Sequence, residues 1–127
     1  MSISVCMASY NGENFIEKQI ESILLELSPS DELIIVDDCS SDRTLEKINA
    51  FNDSRIQLLQ NTINAGEIYS FSKAISLAKN QYIFLSDQDD IWKRGRVKLM
   101  IDSLEKSNSL LITSNFSWIN NDDLPID

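Results

Sequence analysis

Short apolar runs alternate with amphipathic segments along most of the chain. The runs predict buried strands, and the apolar residues between them recur at the spacing of a helix. Strands that alternate with helices predict crossover connections and a largely parallel sheet. The predicted strands are Ile3–Met7, Glu32–Val36, Ile56–Leu59, Tyr82–Leu85 and Leu110–Thr113.

The segments between the runs predict helices. The first covers roughly Asn14 to Leu27 and stops before Pro29, because proline cannot continue a helix. The second follows Asp42, a residue type that caps helix N-termini. The buried sides are predicted as Leu45, Ile48 and Phe51, then Ile68, Phe71, Ile75 and Ala78, and finally Val97, Met100, Ile101 and Leu104. The pattern predicts an α/β fold with a Rossmann-like, mostly parallel, doubly wound sheet.

Carboxylates are concentrated directly after the fourth predicted strand. Asp87, Asp89 and Asp90 follow Ser86 almost without interruption. Crowding of like charges at one strand end costs free energy. A hard divalent cation such as Mg²⁺ or Mn²⁺, which prefers oxygen ligands, would offset that cost.

Two further polar loops follow predicted strands. Ala8–Glu13 comes after the first strand, and Asp37–Asp42 comes after the second. In a doubly wound sheet such loops converge at the switch point of the strand order, where ligands bind. Each loop alone has a simpler explanation, since Asp37 and Asp38 could form a helix-capping turn and Tyr10 could belong to an ordinary turn.

The charge balance excludes some partners. The chain has 20 acidic and 11 basic residues and a net charge of −9, which argues against nucleic acid and against an anionic membrane surface. It contains no histidine, so acid–base and metal chemistry must come from carboxylates.

Cys6 and Cys39 have no metal-type spacing and are predicted to be buried thiols in a reducing compartment. We see neither a signal peptide nor an apolar stretch long enough to span a membrane.

Four motifs, in order, resemble those of family 2 glycosyltransferases. They occupy Ala8–Glu13, Ile35–Asp42, Asn64–Gly66 and Phe84–Trp92, and the resemblance covers nearly the whole chain. The Asp-Gln-Asp-Asp-Ile-Trp form of the last motif also resembles bacterial rhamnosyltransferases of surface-polysaccharide assembly. The family implies a GT-A fold and sugar transfer from a nucleotide diphosphate donor, UDP- or dTDP-linked, to a glycan or lipid-linked acceptor.

The resemblance also implies roles for individual residues. Ala8 and Tyr10 would lie against the nucleotide base or ribose. Asp38 would accept a hydrogen bond from the pyrimidine ring, and Asp37 would support that pocket. Asp89 would bind the divalent metal, and Asp87 would touch the ribose or the metal. The donor site would also include Glu13, Gly66 and Gln88.

The family pattern has a second half that these residues do not match. We therefore interpret residues 1–127 as a single domain, the donor-binding N-terminal portion of a longer glycosyltransferase domain, with the catalytic base outside it. We expect it to be inactive alone, to self-associate through an uncovered apolar edge, and to be cytoplasmic, with attachment to the inner face of the membrane left open.

Two other classes remain as alternatives. A phospho-acceptor receiver domain also uses a doubly wound sheet and a Mg²⁺-binding acid pair, although that pair would follow the first strand rather than the second. A nucleotidyltransferase would need a glycine-rich basic loop after the first strand, and Ala8–Glu13 has one glycine and no basic residue. The sequence also lacks a phosphate-binding loop ending in Gly-Lys-Ser/Thr and a Gly-x-Gly-x-x-Gly dinucleotide fingerprint.

Overall fold

The computed structural model describes residues 1–126. The chain forms two compact units, of which the first is Met1–Arg94 and the second begins at Gly95. The elements of the first unit, in chain order, are β1 (Ile3–Ser9), α1 (Ile16–Leu24), β2 (Glu32–Asp37), α2 (Thr44–Asn49), β3 (Ile56–Gln60), α3 (Glu67–Leu77) and β4 (Tyr82–Ser86). The second unit contains α4 (Arg96–Ser107).

The first unit is built on a four-stranded parallel sheet in the order β3-β2-β1-β4. The register pairs Ser9 with Asp37 and Met7 with Ser86, so β1, β2 and β4 end at the same edge. The chain moves outward from β1 to β2 and β3, and then returns to place β4 on the other side of β1. The switch point of the strand order therefore lies between β1 and β4, and the predicted parallel α/β fold is confirmed.

Both faces of the central strands are buried. On one face Cys6, Ile34 and Val36 form a cluster with Ala74 of α3, which packs against β1 and β2. Side chains that point to the opposite face, such as Met7, are also fully buried. Right-handed crossovers place α1 and α2, which contact each other, on this second face. The sheet is therefore doubly wound, as the sequence predicts.

The buried side of α3 differs from the prediction. Ser70 and Ala74 are fully buried, whereas Ile68 is 88% exposed and Ile75 is also exposed. Apolar residues occupy more than one side of this helix, so helical spacing alone does not select the buried one. The small side chains of Ser70 and Ala74 let α3 approach the sheet closely. Of the residues predicted to be buried here, Ala78 packs partly against the core cluster.

An aromatic pair joins β4 to the loop that follows it. The rings of Phe84 and Trp92 have centroids 5.6 Å apart and are tilted by 50°. The backbone N–H of Trp92 donates to Ser22 Oγ of α1 at 3.0 Å. Trp92 is buried and packs as a core residue. Ile83 and Leu85 of β4 are exposed, so this edge strand presents apolar side chains on one face.

The second unit has no strand where one was predicted. Helix α4 begins after Gly95, at φ 78°, and ends before Asn108, at φ 50°. Residues 110–113, the predicted fifth strand, have no ladder pairing, and Leu110 and Leu111 are exposed. An apolar run becomes a strand only when neighbouring backbone supplies hydrogen bonds, and none of the described residues does so here.

The two cysteines are free and differ in environment. Cys6 is fully buried, and burial together with the nearby Glu32 charge raises the pKa of its thiol to about 11. Cys39 is partly exposed, so the prediction of two buried thiols is wrong for this residue. Within residues 1–126, no helix combines the length and apolar character that a membrane crossing requires.

Candidate functional site

The loops after β1, β2 and β4 meet at one edge of the sheet. Tyr10 follows β1, Asp38 follows β2, and Gln88 lies just beyond β4. Contacts between the first and second loops, and between the first and the last, join residues far apart in sequence. The convergence predicted from the sequence is therefore confirmed.

The loops after β1 and β2 are joined by several hydrogen bonds. The Asn11 N–H donates to Ser40 Oγ at 2.9 Å, and Asn11 Oδ1 accepts from the Ser41 N–H at 2.8 Å. The Glu13 N–H donates to Asp42 Oδ2 at 3.1 Å. Asn11 has φ 46°, a left-handed conformation that asparagine tolerates better than most residues. These bonds fix the two loops against each other.

Asp42 organises the start of α2. Its Oδ1 accepts from the Thr44 N–H at 3.0 Å and from Thr44 Oγ1 at 2.6 Å. Thr44 Oγ1 in turn accepts from the Gly12 N–H at 2.8 Å. Burial raises the pKa of Asp42, but hydrogen bonds from Thr44 and Glu13 outweigh it and hold the pKa below the ordinary value of 3.8. The N-cap position of α2 is Arg43, not Asp42 as predicted, so Asp42 holds the start of the helix from one residue before the cap, through Thr44.

Glu13 also turns toward α2. Its Oε2 accepts from the Arg43 N–H at 2.9 Å, and its backbone carbonyl accepts from Lys47 Nζ at 2.8 Å. Lys47 pairs in addition with Glu17 at 2.7 Å. The Glu13 carboxylate is therefore hydrogen bonded within the chain, and its contact with a donor stays a prediction.

Asp37 is fully buried at the end of β2. Its Oδ1 accepts from Ser9 Oγ at 2.9 Å and from Ser40 Oγ at 2.5 Å. Its Oδ2 accepts from the Ser40 N–H at 2.9 Å. Both carboxylate oxygens thus hold the edge of the sheet to the following loop, which suits the supporting role predicted for this residue.

Asp38 holds the loop between β3 and α3. Its Oδ1 accepts from Asn61 Nδ2 at 2.9 Å and from the Ala65 N–H at 2.7 Å, and its Oδ2 accepts from the Gly66 N–H at 2.8 Å. Only 4% of Asp38 is exposed. Burial raises the pKa of Asp38, but the bonds from Asn61, Ala65 and Gly66 outweigh it, and the pKa lies below 3.8. Gly66 has φ 92°, a conformation that favours glycine.

Asn61 is a residue that the sequence patterns did not single out for a role. It is buried, and besides Asp38 its Nδ2 contacts Ser70 Oγ at 3.0 Å. Its Oδ1 accepts from Lys73 Nζ at 3.1 Å, which fixes the orientation of the amide. Its carbonyl accepts from Cys39 Sγ at 3.1 Å, and Cys39 has φ 63°, a rare conformation for this residue type. Nothing in the sequence beyond its place after β3 points to this network.

The acidic loop after β4 is anchored differently. The Asp87 and Asp89 side chains are exposed, and within residues 1–126 neither makes a hydrogen bond or ion pair. The loop backbone is held by Gln19, a buried residue of α1 whose Nε2 donates to the Asp87 carbonyl at 3.0 Å and to Ser86 Oγ at 2.5 Å. Gln19 lies between Ile16 and Ile23 at helical spacing. A polar residue on this apolar side of the helix is the sequence feature that could have identified Gln19 as part of the site.

Gln88 crosses the switch point. Its side-chain amide forms two hydrogen bonds with the backbone of Tyr10, whose own side chain is 48% exposed. Ala8 lies near the end of β1, paired with Val36 of β2. Of the residues predicted for the site, Tyr10, Asp87, Gln88 and Asp89 therefore lie in the loops on either side of the switch point.

The acidic loop fits a divalent cation in part. Asp87 and Asp89 offer oxygen atoms without internal partners, the donor type that Mg²⁺ and Mn²⁺ prefer. No group of three or more acidic, cysteine or histidine side chains among the described residues could hold a metal by itself. Mg²⁺ commonly binds through one or two carboxylates together with substrate phosphates, so a site that lacks a third carboxylate suits a metal that arrives with a diphosphate.

A sequence model of glycosyl transferase family 2 matches residues 4–126, almost the entire chain. The chain belongs to glycosyl transferase family 2. This membership decides against the receiver and nucleotidyltransferase alternatives. It confirms the resemblance that the four motifs indicated.

Two family 2 relatives are similar to this chain over most of its length. The chain is 35% identical over 122 residues to the UDP-Glc:alpha-D-GlcNAc-diphosphoundecaprenol beta-1,3-glucosyltransferase WfgD of Escherichia coli, covering 96% of this chain and 48% of WfgD. It is 36% identical over 116 residues to the dTDP-rhamnosyl transferase RfbG of Shigella flexneri, covering 86% of this chain and 40% of RfbG. The chain thus spans less than half the length of these relatives.

Solved structures of glycosyltransferases have the same GT-A fold. S. aureus TarS 1–349 in complex with UDP-GlcNAc superposes with a TM-score of 0.76 at 25% identity, over 85% of this chain and 32% of TarS. The mannosyltransferase PcManGT of Pyrobaculum calidifontis, in complex with GDP-Man and Mn²⁺, superposes with a TM-score of 0.74 at 21% identity, over 80% of this chain and 32% of PcManGT. The predicted GT-A fold is confirmed.

Proposed function

We propose that this chain is the donor-binding part of a bacterial glycosyltransferase of surface polysaccharide synthesis. The enzyme would transfer a sugar, with inversion, from a nucleotide diphosphate sugar to a glycan or lipid-linked acceptor. The observation that carries the proposal is the meeting of the Tyr10 loop with the Asp87–Asp89 loop at the switch point. The names of WfgD and RfbG support a UDP- or dTDP-linked donor.

The nucleoside would lie on the β1 and β2 side of the crevice. Tyr10 offers a half-exposed ring there, and Ala8 lies near the end of the same strand. A carboxylate has about four acceptor sites, and the Asp38 carboxylate accepts from three donors within the chain. One site is therefore left for a pyrimidine N–H. Asp37 and Gly66 would support this pocket through the hydrogen bonds that they make to neighbouring residues.

The diphosphate would lie on the β4 side. Asp89 would hold a divalent metal, Mg²⁺ or Mn²⁺, and Asp87 would contact the ribose or the metal; the occurrence of Mn²⁺ in PcManGT supports a metal. Such a metal, when bound, would stabilise charge on the leaving diphosphate. The carboxylates of Asp87 and Asp89 make no hydrogen bond or ion pair to other described residues, so both side chains can turn toward a ligand.

The acceptor and the catalytic base would come from outside these residues. Inverting transfer requires a base that reaches the acceptor hydroxyl from the side opposite the diphosphate. In this proposal the roles on the donor side belong to Asp37, Asp38, Asp87 and Asp89.

We place the enzyme in the cytoplasm, where nucleotide sugars are used, with attachment to the inner face of the membrane as an open alternative. Exposed Ile83 and Leu85 on the β4 edge support self-association of this chain.

Titration calorimetry of this chain with UDP-glucose and dTDP-rhamnose, with and without Mn²⁺, tests the donor site. We expect at least one of the two nucleotide sugars to bind in a Mn²⁺-dependent manner. The Asp89→Ala variant should show no Mn²⁺-dependent binding. Asp122→Ala removes an exposed carboxylate of the second unit and is the matched control. Metal-dependent affinity that persists in Asp89→Ala would overturn the metal assignment, and absence of binding to both donors would overturn the proposed function.

A radiolabelled-donor assay tests the proposed placement of the base. We expect this chain to bind donor without transferring sugar to an added acceptor, and to elute from a size-exclusion column as more than a monomer. Sustained transfer by a monomer would show that the base lies among these residues.

A further inference from the structure

The side-chain amide of Gln88 pairs with the backbone of Tyr10 in the manner of a strand ladder. Gln88 Oε1 accepts from the Tyr10 N–H at 2.9 Å, and Gln88 Nε2 donates to the Tyr10 carbonyl at 3.0 Å. The backbone group dictates the orientation of the amide, because an N–H needs the oxygen and a carbonyl needs the nitrogen. Both polar atoms of the Gln88 side chain are thereby used inside the chain.

Gly12 leaves the space that this pairing occupies. A Cβ atom at Gly12 would lie 2.2 Å from Gln88 Oε1 and 2.7 Å from Gln88 Cδ. Gly12 is not among the glycines with positive φ, so its backbone conformation is open to other residues. The obstacle to a larger side chain at this position is therefore the end of the Gln88 side chain.

We propose that Gln88 is a positioning residue, which holds Tyr10 at the nucleoside side of the crevice and ties it to the acidic loop. The pair is called the Gln88–Tyr10 clamp below. This inference rests on the proposed function, and it replaces the prediction that Gln88 itself contacts the donor. The clamp spans the switch point. It joins the loop of Tyr10, which is predicted to contact the nucleotide base, to the loop that carries Asp87 and Asp89.

The clamp predicts that Gly12→Ala and Gln88→Ala have the same defect. An added methyl at Gly12 would displace the Gln88 amide, which is the flexible end of a long side chain, so the fold should survive while the clamp is lost. Losing two ordinary hydrogen bonds should weaken UDP binding about tenfold in either variant. The double variant should lose no more than each single one, because the clamp can be broken only once.

A nucleoside without phosphates separates positioning from direct contact. If Gln88 acts through Tyr10, the variants should weaken uridine and UDP binding by the same factor. If Gln88 contacts the diphosphate instead, uridine binding should be unchanged and the inference is overturned. Gln81→Ala removes an exposed glutamine just before β4 and should bind both ligands like the parent chain. Gln88→Glu keeps the length but lacks the donor for the Tyr10 carbonyl, so it should resemble Gln88→Ala for uridine.

Amide hydrogen exchange tests the clamp without any ligand. The Tyr10 N–H should be protected in the parent chain and should exchange faster in Gln88→Ala and in Gly12→Ala, while both variants stay folded with only a small drop in the urea midpoint. An unprotected Tyr10 amide in the parent, or single-variant losses that multiply in the double variant, would overturn the clamp. A protected Tyr10 amide in a chain that binds neither uridine nor UDP would instead overturn the proposed function, and with it the purpose assigned to the clamp. If Gly12→Ala alone does not fold, the double variant should fold, because removing the Gln88 amide frees the space.

Discussion

Replacing Asp38 by alanine should destabilise the first unit, because three donors lose one buried acceptor. Asn61 is buried, so its Nδ2 donor would lose the Asp38 acceptor where water does not replace it, which costs about 1–3 kcal/mol. The Ala65 and Gly66 N–H groups belong to a surface loop where water can replace the carboxylate, so each should cost only about 0.5–1 kcal/mol. We therefore expect the unfolding free energy to fall by about 2–5 kcal/mol in total.

Urea unfolding followed by Trp92 fluorescence measures this loss. Trp92 is buried in the first unit, whereas Trp118 of the second unit is exposed, so a Trp118→Phe background isolates the signal. Asp89→Ala is the matched control, since its carboxylate makes no bond to the described residues, and it should change the unfolding free energy by less than about 0.5 kcal/mol. An Asp38→Ala variant as stable as the control would refute the argument that this carboxylate holds the loop.

Acid should destabilise the first unit, because hydrogen bonds hold the pKa of Asp38 and of Asp42 below 3.8 in the folded state. The stability that they provide is complete above that ordinary value and is lost as pH falls through the lower folded-state values, so Asp38→Asn should reduce the acid slope of the unfolding free energy. Asp42→Ala should lower the unfolding free energy by about 1 kcal/mol in urea, whereas Asp42→Asn, which keeps an acceptor for Thr44, should lose less. The Cys6 thiol, whose pKa burial raises to about 11, should resist iodoacetamide at neutral pH under conditions that label Cys39; equal labelling of the folded protein would contradict its burial.

The strands of the first unit could be predicted because their apolar runs are short and separated by clear helical spacing. Their parallel arrangement followed from the alternation of element types. The face of α3 was predicted wrongly, because Ile68 and Ile75 are more apolar than Ser70 and Ala74, which are the residues that the helix buries. The choice between the two sides depends on how closely Ser70 and Ala74 can approach the sheet, and spacing along one helix does not contain that distance.

The predicted fifth strand shows a second limit. Leu110–Thr113 has the composition of a strand, but a strand exists only with a partner, and pairing is a property of two segments rather than one. The same limit applies to the site. The sequence indicated which loops would meet, since that follows from the topology, but not that Asn61 and Gln88 would bind Asp38 and the Tyr10 backbone.

The unequal anchoring of the acidic residues affects how this chain tolerates mutation. Asp37, Asp38 and Asp42 each accept several hydrogen bonds, so substitutions at these positions would be removed from a library selected only for folding. Asp87 and Asp89 would pass such a screen, and only selection for donor binding would remove their variants. A mutational scan under both selections would therefore separate the residues that are needed for folding from those that are needed only for donor binding. The loop after β4 is the part of the crevice that can be redesigned without rebuilding the sheet beneath it.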